Sequence, residues 1–152
     1  MSRPEANMDR CTQTHRESLV KVEANGRKAV FENHRQEEIL VTDVDCWLPE
    51  SGETKADYVI SKPLVIDVIV ELKGKQIDHA ISQIVATVQK WRELRMVQQP
   101  VGGLVVFTRS PNDAATLKSR QIRLWNNHKI SLVMDKSGKT GYRFESFLRV
   151  KP

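Results

Sequence analysis

The chain predicts an α/β fold, a mixed central β-sheet with flanking helices. Three observations carry that prediction. Strand-like runs fill residues 19–72, an amphipathic helical run follows from Ile77, and Leu104-Val-Val-Phe-Thr108 is a short apolar run typical of a buried parallel strand. Strands followed by helix, strand, helix and strand describe an antiparallel meander that runs into a strand–helix–strand crossover.

In chain order, residues 1–16 are polar and carry no period, so they read as an N-terminal arm, with 17–152 as a single domain. Leu19-Val-Lys-Val-Glu and Ala29-Val-Phe-Glu flank Asn25-Gly26, a two-residue hairpin signal. Residues 38–48 read as one longer strand, and Pro49-Glu-Ser-Gly turns the chain. Residues 55–61 form the next strand, Lys62-Pro63 breaks it, and residues 64–72 form a third. Ile77, Ile81, Ile84, Val85, Val88 and Trp91 recur at helical spacing, which predicts a helix to about residue 96. Pro100-Val-Gly-Gly punctuates before the apolar strand. Ser110-Pro111 opens a second helix, with Ala114, Leu117, Leu124 and Trp125 on one side. Residues 130–134 and 142–148 close the chain as strands.

Composition narrows the class. A length of 152 residues suits one core, and 39% hydrophobic with 28% charged residues is ordinary for a soluble protein. No window approaches the roughly 18 apolar residues of a membrane span, and the N-terminus lacks a basic-then-apolar leader, so the expectation is cytoplasmic, with no membrane partner. A net charge of +5 favours a polyanionic partner, nucleic acid first, although solubility alone could account for it. Cys11 and Cys46 form no Cys-x-x-Cys, so neither zinc nor a disulfide framework is expected, and Cys46 reads as a buried thiol. His15, His34, His79 and His128 lack metal-ligand spacing. Lys118, Arg120, Arg123 and Lys129, with Arg92 and Arg95 on the earlier helix, form either a phosphate-contact surface or a plain solvated face. Trp91 and Trp125 fall on apolar stripes and read as core, while Trp47 fits core or surface. Ser137-Gly-Lys-Thr-Gly lacks the upstream glycine and following helix of a phosphate loop.

The chemistry-bearing pattern is Ala56-Asp57, thirteen intervening residues, then Glu71-Leu72-Lys73. Strand alternation sends Glu71 and Lys73 to one side and Val68, Val70 and Leu72 to the other. Carboxylates bind hard cations through oxygen, and an ammonium beside them can orient a water or stabilise charge on a phosphate. Against this, a Glu-x-Lys near a strand end is more often a solvated surface pair.

These residues resemble the PD-(D/E)xK nuclease superfamily, which includes restriction endonucleases and archaeal Holliday-junction resolvases. The likeness spans residues 38–108. It implies a restriction-endonuclease-like core and a metal-dependent endonuclease that hydrolyses phosphodiester bonds, in DNA first, restriction-like or junction-resolving. By that resemblance Asp57 and Glu71 would bind Mg²⁺ or Mn²⁺, with the Leu72 carbonyl as a further ligand. Lys73 would position or deprotonate the attacking water. Gln83 resembles a glutamine some nuclease families use near the site, and it reads equally as a solvated helix-flank amide. Two features depart from the pattern. Ala56 stands where the name has proline, and no helix with a further acid is evident before the strands, which leaves Glu17 and Asp45 as candidates. Cutting two strands would favour a homodimer. The alternative is a catalytically silent module on the same fold that binds nucleic acid or a partner protein.

Overall fold

The structure is a computed structural model that describes residues 8–49, 54–74, 76–95, 99–107, 114–136 and 141–148, without the side chains of Lys73 and Arg95. A six-stranded mixed sheet consists, in spatial order, of β1 (Thr12–His15), β4 (Ile39–Asp43), β5 (Tyr58–Lys62), β6 (Ile66–Gly74), β7 (Val101–Phe107) and β8 (Ile130–Lys136). Strands β1, β4, β5 and β6 pair antiparallel, whereas β6, β7 and β8 run parallel. Parallel neighbours need a crossover, and α2 (Ile77–Arg95) and α3 (Ala114–His128) supply the two required here. β2 (Leu19–Ala24) and β3 (Arg27–Glu32) form a separate hairpin. Its turn residues Asn25 and Gly26 have φ of 56° and 74°, the left-handed pair a tight hairpin requires.

Side-chain alternation gives the sheet two cores. Val59, Ile69 and Val105 pack under Ile84, Val88 and Trp91 of α2 and Leu124 of α3. Ile60, Val68, Val70, Leu104 and Val106 face the opposite way, against Val20, Val22 and Phe31 of the hairpin and Phe144 and Phe147 of α4 (Phe144–Leu148). β7 is buried along its whole length, as its unbroken apolar run predicts. The helical period also holds: Ile84, Val88 and Trp91 are buried, Ile81 and Val85 half-buried, and Lys90 and Glu93 exposed.

Several expectations are corrected. Gly102 and Gly103 are not punctuation but lie inside β7. A Cβ at Gly102 would meet Cβ of Phe147 at 2.9 Å, and one at Gly103 would meet Ile84 and Leu132 at 3.3 Å. The glycines therefore let α4 and α2 close onto the two faces of the same strand. Residues 38–48 are not one strand. The chain leaves β4 at Asp43, whose carboxylate accepts from the Cys46 N–H at 3.2 Å and caps α1 (Val44–Trp47). Tyr142 makes only an isolated bridge to Phe31, and the residues after it form α4, because Phe144 and Phe147 at i, i+3 both bury on one side. Within the expected polar arm, Met8 and Cys11 are buried and Thr12–His15 is the edge strand β1. The expected helix start at Ser110-Pro111 and most of Ser137-Gly-Lys-Thr-Gly lie outside the described residues.

Cys11 and Cys46 are joined in a disulfide, contrary to the free-thiol reading. Cys11 immediately precedes β1 and Cys46 follows β4, so the antiparallel pairing of Thr12 with Thr42 brings them together with Cα atoms 5.6 Å apart. Disulfides are rare in a reducing cytosol, so this pair weighs against the cytoplasmic expectation. Among the described residues no helix is long and apolar enough to cross a membrane.

Ile84 is fully buried where α2 crosses Gly103. Its replacement by Ala should destabilise the protein by about 2–5 kcal/mol in urea unfolding. A loss under about 0.5 kcal/mol, the size of an ordinary surface change, would refute this packing.

Candidate functional site

β6 sends Val68, Val70 and Leu72 into the hairpin-side core and Ile69 into the helix-side core. Glu71 therefore faces α2. Asp57 occupies the bend just before β5, and its N–H continues the ladder by donating to the Val70 carbonyl at 3.0 Å. Its carboxylate turns to the same place and accepts from the Leu72 N–H at 2.8 Å. The Glu71 carboxyl lies near enough to the Asp57 carboxyl and to the Gln83 side chain of α2 for both to shift its ionisation.

The strand is irregular at this point. β6 and β7 are in register through Glu71 with Val105, but Gly74 then pairs with Phe107, so β6 carries one extra residue across Leu72 and Lys73. Such bulges lift backbone groups out of the ladder and redirect the side chains beside them. The Leu72 N–H lies on the same edge of β6 as the Val70 carbonyl that takes the Asp57 N–H, and it meets the Asp57 carboxylate. The backbone of Lys73 lies at the bulge, and its side chain falls outside the described residues.

Glu71 is 4% exposed, and its Oε1 is buried without a hydrogen-bond partner among the described residues. Its pKa is pushed up to about 8, first by burial and then by the Asp57 charge, with Gln83 pulling the other way and Asp45 adding a smaller upward push. Buried carboxylate oxygens are costly to leave unpaired, and those that remain so concentrate at functional sites. Hard oxygen donors suit Mg²⁺ or Mn²⁺, so the chemistry of the pair fits the expected cation. Among the described residues no group of three or more His, Cys, Asp or Glu is placed to share an ion.

Other expected site residues divide. Gln83 is at the site, where its Nε2 donates to the Lys55 carbonyl at 3.1 Å, so it is not a solvated flank amide. Of the two candidates for a further acid, Glu17 is exposed between β1 and β2 and pairs with His15 at 3.1 Å. Asp45, on α1, is the one whose charge reaches Glu71, and it pairs with Lys55 at 3.0 Å. The basic cluster is partly committed within the fold. Arg120 forks onto Asp78 at 2.6 and 3.2 Å, Arg92 donates to the His128 carbonyl, and Lys129 sits over the Trp125 ring. Trp91 is core as expected, and Trp47 joins it edge-to-face at 5.5 Å.

Two residues escaped sequence reading. Thr87, buried on α2, donates its hydroxyl to the Gln83 carbonyl and accepts from the Ala56 N–H, both at 2.8 Å. Asp67, buried on β6, receives the Trp91 indole N–H and the Gln99 amide, both at 2.9 Å. In each case the available signal was a polar residue inside an apolar stripe.

The chain matches no family model, no curated protein and no solved structure.

The raised pKa of Glu71 fixes a pH dependence. Folded Glu71 keeps its proton up to about pH 8, whereas the unfolded chain releases it near 4.5, so the folded state holds the extra proton between those values. Raising the pH through this window favours unfolding. Glu71→Gln removes the ionisation. In thermal melts without divalent cations its advantage over wild type should be small at pH 5, grow to pH 8 and then level off. A constant difference across that range would show that Glu71 ionises normally.

Proposed function

We propose that this protein is a metal-dependent nuclease that hydrolyses phosphodiester bonds, DNA first, on a restriction-endonuclease-like core. The observation that carries the reading is the Glu71 carboxyl, buried beside a strand bulge, with one oxygen lacking a hydrogen-bond partner among the described residues and with the Asp57 charge close enough to oppose its ionisation. Two carboxyls held this way are mutually unfavourable once both ionise, and a divalent cation between them would remove that penalty. The surrounding topology supports the core assignment: the β4–β5–β6 meander, crossover α2 and parallel β7 set the acids on neighbouring chain segments at one end of the sheet.

Asp57 and Glu71 would hold Mg²⁺ or Mn²⁺, with the Leu72 carbonyl at the bulge as a further ligand. The ion, when bound, supplies charge neutralisation at the phosphate and a more acidic water. Asp57 keeps its orientation through the Leu72 N–H, and Glu71 gives up its proton to bind. Lys73 would orient the attacking water and assist its deprotonation. The net charge of +5 draws a polyanionic substrate. Cleavage of both strands of a duplex would call for two copies of the chain.

A nuclease time course tests this reading. Wild type should cleave DNA with Mg²⁺ or Mn²⁺ and stop in EDTA. Lys73→Ala and Glu71→Ala should each lose at least about 100-fold in rate, with Lys73→Ala still folded and still binding DNA. Equal cleavage by wild type and Lys73→Ala would remove Lys73 from the mechanism. Absence of wild-type cleavage across DNA and RNA substrates would leave the silent binding module.

A further inference from the structure

Asp57 stands in a bend before β5, where sheet pairing alone does not hold the chain that leads into it. The two residues before it are instead held by one helix. The Lys55 carbonyl receives the Gln83 amide at 3.1 Å, and the Ala56 N–H is received by the Thr87 hydroxyl at 2.8 Å. Asp57 itself is tied on both sides, its N–H to Val70 of β6 and its carbonyl to the Val44 N–H of α1 at 3.1 Å. Three consecutive residues are thus fixed by three different elements.

Thr87 has an unusual place in this arrangement. It is 1% exposed, and Ala56 is 2% exposed, so water cannot readily substitute for either partner. Its single hydroxyl does two jobs. It donates to the Gln83 carbonyl one turn earlier and thereby points its lone pair at the Ala56 N–H. A threonine that only bonds back to the carbonyl four residues earlier is a common helix feature. Here the same oxygen also accepts from another segment 31 residues away. Gln83 is tied to the same segment, since its side chain bonds the Lys55 carbonyl, and it lies near enough to Glu71 to shift its ionisation.

We propose that Thr87 is a positioning residue for the carboxylate pair: its hydroxyl fixes the Ala56 peptide to α2 and so sets where the Asp57 carboxylate stands relative to Glu71. Thr87 has no hydrogen bond to either carboxylate, and its effect on the ion passes through Ala56 and Gln83. Outer residues that orient metal ligands commonly control affinity by 10–100-fold. The inference rests on the reading of Asp57 and Glu71 as a cation site, and it adds a requirement that reading does not contain.

The test measures Mn²⁺ alone binding to the full chain, by titration calorimetry or loss of the free Mn²⁺ electron-resonance signal, at pH 8. Thr87→Val keeps the shape and removes the hydroxyl, and it should weaken Mn²⁺ binding by about tenfold or more. Thr87→Ser keeps the hydroxyl and should stay within about threefold of wild type. A merely structural role would lower the melting temperature of Thr87→Val without changing affinity at a temperature where it is fully folded. If Thr87→Val does not fold, Thr87→Ala, which leaves room for a water at the Ala56 N–H, takes its place and should still bind more weakly than Thr87→Ser. Wild-type affinity in a folded Val or Ala variant overturns the role of Thr87 and leaves the cation site intact. No Mn²⁺ binding by wild type overturns the cation site, and the inference with it.

Discussion

The structure turns on one unfavourable juxtaposition, the buried Glu71 carboxyl against the carboxyl of Asp57. An acid on a strand that serves two apolar cores would ordinarily be replaced or pushed to the surface. Glu71 is instead held inside, protonated to about pH 8, with Oε1 unpartnered among the described residues. β5 begins immediately after Asp57, the Leu72 N–H of β6 donates to the Asp57 carboxylate, and α2 ties Gln83 to the Lys55 carbonyl beside the pair. Burial and the Asp57 charge together hold the pKa of Glu71 well above the ordinary carboxylate range.

The rest of the fold can be read as the scaffold that permits that arrangement. α2 must lie close to the sheet for Gln83 and Thr87 to reach Lys55 and Ala56, and Gly103 allows Ile84 to seat directly on β7. On the opposite face Gly102 does the same for Phe147, so β7 is clamped from both sides. Asp67 anchors the far end of the same helix by receiving the Trp91 indole, while Gln99 closes its other oxygen. The helix is thus held by polar contacts to the Lys55–Ala56 segment and to Asp67 of β6, and by the buried Ile84 and Val88. The disulfide ties α1 to the start of β1, and α1 in turn holds the Asp57 carbonyl through Val44.

Much of this was readable in the residues. Asn25-Gly26 specified its hairpin because few other dipeptides tolerate two consecutive left-handed conformations. The α2 face followed from the spacing of Ile77, Ile84, Val88 and Trp91, and the meander-then-crossover order gave the mixed sheet. Asp57 and Glu71 could be brought together because period-two alternation and hairpin pairing are nearly rigid rules. The features that escaped depended on non-local geometry. The Cys11–Cys46 pairing requires knowing that β1 lies beside β4, which no local pattern in a polar N-terminal segment reveals. Gly102-Gly103 has the local look of a turn, and only the helices on either face explain its place in a strand. Thr87 is locally one polar residue on a helix, and the partner that gives it a role lies 31 residues upstream.

On the reading proposed above, the Asp57–Glu71 pair holds a cation. Crystals soaked in Mn²⁺ at pH 8.5, above the Glu71 ionisation, test it most directly through the anomalous signal of manganese. A peak is expected between the Asp57 and Glu71 carboxylates, with oxygen contacts of about 2.0–2.4 Å. A map at saturating Mn²⁺ with no peak there, and with Glu71 still in contact with Asp57, would contradict it.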